Sequence, residues 1–167
     1  MFNKLANQVA IKSITPSESL SDNVDIFCSL RFGNSMAEAK LVQQRLRDEH
    51  KLNAVIINVP EGEDIADQVA KKLDEAKLVL IFGCETYGVG TVSFSTKEEL
   101  QFVLSEKKPF FLIKMCDRFK EARTRMALHE GIMYTAWKHG EPIPETLVAD
   151  IARRFNTLDE NPFSDSA

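Results

Sequence analysis

Three features of this sequence predict an α/β fold with a parallel sheet. Short apolar runs recur at 24–30, 54–59, 78–82, 109–115 and 132–137, each bounded by polar or turn-forming residues. Between them lie stretches whose apolar residues repeat at helical spacing. The connections are too long for hairpins, so successive strands run the same way and the helices cover both faces. With right-handed crossovers, the expected architecture is a flavodoxin-like three-layer sandwich with a five-stranded parallel sheet.

Residues 1–22 carry little pattern, and Pro16 among serines reads as a loose lead-in to a domain expected over 23–157. The first strand, NVDIFCSL, ends in the turn Arg31-Phe32-Gly33-Asn34-Ser35. A helix follows from Met36 to about His50, with Ala39, Val42 and Leu46 on one face. The second strand, AVIINV, is broken by Pro60-Glu61-Gly62, and Ile65, Val69 and Leu73 mark the next helix. The third strand, LVLIF, has no charge and closes at Gly83, as suits a strand buried on both faces. PFFLIKM is the fourth strand, Phe119–Leu128 a short helix of weak periodicity, and IMYTAW the fifth strand. Trp137 at its end reads as packing. A last helix carries Leu147, Val148, Ile151 and Phe155, and the acidic stretch 158–167 is expected to be disordered.

Composition narrows the function classes. Hydrophobic residues make up 44% and charged residues 28%, which is ordinary for a globular protein with a real core. The net charge of −4 and the lack of a basic block argue against a nucleic-acid partner. No apolar run has the length of a membrane span, and the N-terminus lacks the apolar core of a signal peptide, so a cytoplasmic protein is expected. Cys28, Cys84 and Cys116 have no metal-ligand spacing and read as small buried hydrophobes, with no metal and no cofactor expected.

The organising stretch is Leu78–Leu104. A buried strand leads into the glycine-punctuated loop Cys84-Glu85-Thr86-Tyr87-Gly88-Val89-Gly90, for which Tyr87 has no assigned role. A capped helix start, Ser95-Thr96-Lys97-Glu98-Glu99, comes next. Two capping boxes overlap there, Ser95-x-x-Glu98 and Thr96-x-x-Glu99, and one helix start accommodates only one. If Ser95 and Glu98 form it, Glu99 is free to face the loop. If Thr96 and Glu99 form it, Glu99 is a structural cap.

Common tenants of this architecture are excluded by their motifs. There is no Gly-x-Gly-x-x-Gly after the first strand, no Gly-x-x-x-x-Gly-Lys and no Gly-x-Ser-x-Gly. Cys28-Ser29-Leu30-Arg31 stands where a phosphoacceptor receiver domain needs an acidic cluster.

Three stretches instead resemble a TIR domain. Asp25-Ile26-Phe27-Cys28-Ser29-Leu30-Arg31 is similar to that family's first box, with Leu30 in place of the usual tyrosine. Val59-Pro60-Glu61-Gly62-Glu63-Asp64-Ile65 stands where its BB loop lies, and Glu99-Leu100-x-x-Val103-Leu104 resembles the start of the helix after its third strand. The similarity runs from about Val24 to Phe155.

TIR domains include scaffolding modules and enzymes that split NAD at the nicotinamide–ribose bond, and the enzymes' essential glutamate corresponds to Glu99. The resemblance thus implies an NAD glycohydrolase, with NAD as substrate and Glu99 stabilising an oxocarbenium-like transition state. It implies that Arg31, Phe32, Asn34 and Ser35 line the NAD site, Arg31 toward a phosphate and Phe32 stacked on a ring. The alternative is an exposed arginine and a core phenylalanine. It also implies that Pro60, Glu61 and Gly62 belong to a flap that helps complete the site between self-associated TIR domains, the alternative being a plain turn. Ser95 and Thr96 join the substrate-binding set. Many NAD-cleaving relatives carry tryptophan where this chain has Ser95, so that stacking platform is missing. The rival reading is a non-catalytic TIR interaction module for signalling assembly.

Overall fold

The computed structural model describes residues 23–31, 33–57, 65–91 and 95–158. In chain order the elements are β1 (Ile26–Ser29), α1 (Met36–His50), β2 (Ala54–Val55), α2 (Ile65–Glu75), β3 (Leu78–Gly83) and α3 (Thr96–Ser105). They continue with β4 (Phe110–Lys114), α4 (Ala122–Ala127), β5 (Tyr134–Ala136) and α5 (Leu147–Asn156). The five strands pair in the order β2-β1-β3-β4-β5, and every pairing is parallel. This is the expected flavodoxin-like order, in which the chain runs outward from β1 to one edge and from β3 to the other.

The charge-free run of β3 fits its place in the middle of the sheet, where both of its faces are covered. Leu78, Leu80 and Phe82 enter one core with Ala39, Val42 and Leu46 of α1 and Leu147, Val148 and Ile151 of α5. Val79 and Ile81 enter the other with Val69 and Leu73 of α2 and Leu100 and Val103 of α3. The period-two alternation of a strand thus divides a uniformly apolar segment between two cores.

The boundaries depart from expectation where pairing decides them. The second apolar run pairs only through Ala54 and Val55, opposite Ile26 and Phe27. As an edge strand, β2 has a neighbour on one side, and Ile56 and Ile57 leave the ladder although their composition continues it. The short helix spans Ala122–Ala127, not 119–128, while Phe119 and Leu128 on either side are buried in the α2–α3 core. Trp137 is buried as expected, and its Nε1 donates to the Glu141 carbonyl at 2.9 Å. All three cysteines are free thiols, Cys28 and Cys84 buried and Cys116 half-buried. Among the described residues, no helix is long and apolar enough to cross a membrane.

Leu80, at 0% exposure on the central strand, is the sharpest probe of this arrangement. Leu80→Ala should lower the unfolding free energy by about 2–5 kcal/mol, while Leu41→Ala on the exposed face of α1 should cost no more than about 0.5 kcal/mol. Urea denaturation of the two variants checks this, and equal losses would contradict the assignment of faces.

Candidate functional site

The carboxyl ends of β1 and β3 lie side by side, with Ser29 of β1 in register with Ile81 of β3. In open α/β sheets ligands bind outside this edge, where the strand order reverses. Two loops rise from it. The β1–α1 loop carries Arg31, Asn34 and Ser35, and the β3–α3 connection carries Cys84 to Thr91 before α3 begins.

The ambiguity at the start of α3 resolves into two roles for two adjacent glutamates. Ser95 is the N-cap, and its backbone N–H and hydroxyl both donate to Glu98 Oε2, at 2.8 and 2.5 Å. Partial burial opposes the charge on Glu98, but the Ser95 hydrogen bonds outweigh it and hold the carboxyl below its ordinary range. Thr96 does not cap; it is buried, and its hydroxyl accepts from the Gly88 N–H at 2.8 Å. Glu99, one residue further round the helix, turns inward at 9% exposure.

There Glu99 Oε1 accepts a hydrogen bond from the Ser29 hydroxyl at 2.7 Å. The Tyr87 hydroxyl lies 2.5 Å from the same Ser29 oxygen. Ser29 has a single proton to give, so with Glu99 ionised the chain of donation runs from Tyr87 to Ser29 to Glu99. Ser29 and Tyr87 are both at 0% exposure. Burial pushes the Glu99 carboxyl up to about 8, against the Ser29 hydrogen bond, and the like charge of Glu98 adds to the rise. Burial also pushes the Tyr87 phenol well above its usual value, with the Glu99 charge adding to it. A carboxyl so poised is mostly neutral at pH 7, and once ionised it meets a nearby cation with little screening.

The loop over this group is tied down from several sides. Arg31 is half-buried and donates through Nη1 to the carbonyls of Thr86 and Val89, at 3.3 and 3.5 Å. These contacts engage one guanidinium nitrogen and tie Arg31 to the β3–α3 loop. Asn34 Nδ2 donates to Thr86 Oγ1 at 3.2 Å. Ser35, the N-cap of α1, is at 0% exposure, and its hydroxyl has no hydrogen-bond partner among the described residues. Gly88 has φ +86°, and a Cβ there would stand 1.9 Å from Thr124 Oγ1, so this turn admits only glycine.

A cleft of about 880 Å³ opens at the same sheet edge, on the α1 side, with Asn34, Glu38, Thr86, Asp117, Lys138 and His139 among its walls. Two exposed contacts flank it, Lys138 with Asp117 at 2.9 Å and His139 Nδ1 with Glu38 at 2.8 Å. Glu99 is not among the residues lining it. Phe32, Pro60, Glu61 and Gly62, expected at the site, lie outside the described residues. Among the described residues, no group of three His, Cys, Asp or Glu side chains is arranged to hold a metal ion.

Ser29 and Tyr87 have no functional role in the sequence motifs, although both carry a signal. Ser29 is a polar residue ending an otherwise apolar strand, and Tyr87 is a large side chain beside a glycine in a polar loop. Comparison with protein-family models and with curated proteins finds no match for this chain.

The raised Glu99 carboxyl ties stability to pH. Between about 4.5 and about 8 the folded state keeps a proton that the unfolded chain releases, so this group lowers stability as pH rises through that window and adds nothing further above it. Glu99→Gln, which keeps an acceptor for Ser29, should match the parent near pH 4.5 and become the more stable protein by pH 8. The gap should be on the order of a few kcal/mol. Urea titrations at several pH values test this, and a difference that stays flat over the window would contradict it.

Proposed function

We propose that this chain is a TIR-like NAD glycohydrolase in which Glu99 is the catalytic residue. The observation that carries the reading is the split between the two glutamates. Glu98 is spent on the helix cap, while Glu99 is turned into a dry position at the carboxyl end of the sheet. The TIR-like motifs around Ser29 and Glu99 supply the reaction class.

The chemistry needs one carboxylate and no general acid. The ribosyl bond of NAD joins C1′ to a positively charged nicotinamide nitrogen. When that bond breaks, its electron pair neutralises the leaving nicotinamide and the positive charge passes to the sugar ring. Ionised Glu99, its Oε1 held by Ser29, stabilises that oxocarbenium-like state. Water then adds to C1′ and loses a proton to solvent, giving ADP-ribose. The positive charge on the nicotinamide ring also favours the ionised carboxyl, so a ring placed beside Glu99 counteracts the effect of burial.

Self-association belongs to the same reading on a separate observation. The edge strand β5 presents Tyr134, and Met133 just before it is 93% exposed, beside a groove of about 410 Å³ that Phe110 and Phe111 help to line. A strand edge with no partner among the described residues and with apolar side chains favours association with another protein surface. Specific activity should accordingly rise with protein concentration.

Incubation with NAD and measurement of released nicotinamide tests the reading. Glu99→Gln should lose about 100-fold or more in kcat, and Glu98→Ala should keep its activity while losing about 1 kcal/mol of stability. For the parent, kcat/KM should rise with pH and level off above about 8, as the free Glu99 ionises. No nicotinamide release by the parent at any concentration would favour the interaction module, and undiminished cleavage by Glu99→Gln would remove Glu99 from the mechanism.

A further inference from the structure

We propose that Tyr87 is a positioning residue for Glu99, acting through Ser29: its hydroxyl donates to Ser29 and fixes the direction in which Ser29 donates to the carboxylate. The inference deepens the NAD-cleavage reading and rests on it for its catalytic meaning, although its test needs no turnover.

The geometry separates this role from simple packing. If Tyr87 only filled space in the α2–α3 core, its hydroxyl would be a buried polar group to be tolerated there. Instead the hydroxyl meets Ser29 at 2.5 Å, and Ser29 meets Glu99 at 2.7 Å. A serine hydroxyl rotates freely unless something holds its oxygen. Tyr87 supplies that hold, occupying the Ser29 lone pair so that the proton is directed to Oε1. Donation into Ser29 also polarises its O–H and strengthens the bond it gives.

The backbone around Tyr87 is clamped on both sides, as a fixed donor requires. The Tyr87 N–H donates to the Cys84 carbonyl at 3.1 Å, and its carbonyl accepts from Thr124 Oγ1 at 3.0 Å. The next N–H, of Gly88, is held by Thr96 on the same helix as Glu99. Arg31 holds the carbonyls of Thr86 and Val89. Donor and acceptor thus ride on one connected frame, and the Gly88 turn that Thr124 seals is part of it.

Among the described residues, the ionisable groups that act on Glu99 are few. Glu98 acts from the same helix and Tyr87 from the loop, and Cys84 acts in turn on Tyr87. Cys28 of β1 belongs to the core on the other face of the sheet, where burial pushes its thiol up to about 12. A change in the Tyr87 hydroxyl therefore reads out on Glu99 through Ser29.

The test is the pH titration of the Glu99 carboxyl carbon by NMR in the parent, Tyr87→Phe, Ser29→Ala and the double variant. Losing a donor to the ionised form should move the Glu99 midpoint upward, by about half a unit or more in Tyr87→Phe and further in Ser29→Ala. The double variant should match Ser29→Ala, because Tyr87 acts only through the hydroxyl that is gone. An unmoved midpoint in Tyr87→Phe, or a double variant shifted by the sum of the two, would overturn the proposal. Should a variant not fold, the unmodified protein still decides. Its Tyr87 Cζ resonance should step at the Glu99 midpoint, and a flat trace through that pH would equally overturn it. NAD cleavage does not enter these readouts, so a failure of the relay and a failure of the enzymatic reading remain distinct results.

Discussion

Removing the Glu99 carboxyl from water, with the Ser29 hydroxyl as its donor, is the constraint to which the rest of the site answers. A desolvated carboxyl resists ionisation, and one hydroxyl does not offset the lost hydration, so burial raises its proton affinity. The position is costly to the fold at neutral pH. Perturbed carboxyls of this kind cluster at functional sites, and the proposed NAD cleavage would use a charge with a low-dielectric surround.

The surrounding polar groups are satisfied by one another, and Ser29 is the hydrogen-bond donor to Glu99 among the described residues. Ser95 and Glu98 satisfy the start of α3, and Thr96 turns to the Gly88 N–H. Arg31 is committed to carbonyls of the β3–α3 loop, where it acts as a strap. Gly88 makes the turn that brings the Tyr87 ring beneath that loop, since its positive φ and the Thr124 hydroxyl leave no room for a side chain. Each contact is local and ordinary, and together they hold three buried oxygens in a row from Tyr87 through Ser29 to Glu99.

Much of the fold was legible because both-face burial writes itself into composition. The uniform apolar run of β3 marked the centre of the sheet, and the helical stripes of α1 and α5 marked the cover on one face. The length of β2 was not legible, because Ile56 and Ile57 have strand-like composition and only their lack of pairing takes them out. In the site, the overlapping boxes at Ser95–Glu99 narrowed the candidates to two glutamates but did not choose between them. The TIR resemblance pointed to Glu99, while the hydrogen bond that holds it comes from Ser29, 70 residues away in sequence. Tyr87 to Ser29 is likewise a contact over 58 residues, with no periodicity or spacing to announce it. Arg31 reads as an open cation in sequence because its carbonyl partners are backbone atoms, which no residue pattern reveals.

The central claim is that Glu99 carries a proton at neutral pH and gives it up near pH 8. The infrared difference spectrum between the parent and Glu99→Gln reads that proton directly. At pH 7 the parent should show the C=O stretch of a protonated carboxylic acid that the variant lacks, replaced by carboxylate bands as the pH is raised past 8. Carboxylate bands already present at pH 7, with no acid C=O stretch assigned to Glu99, would contradict the account.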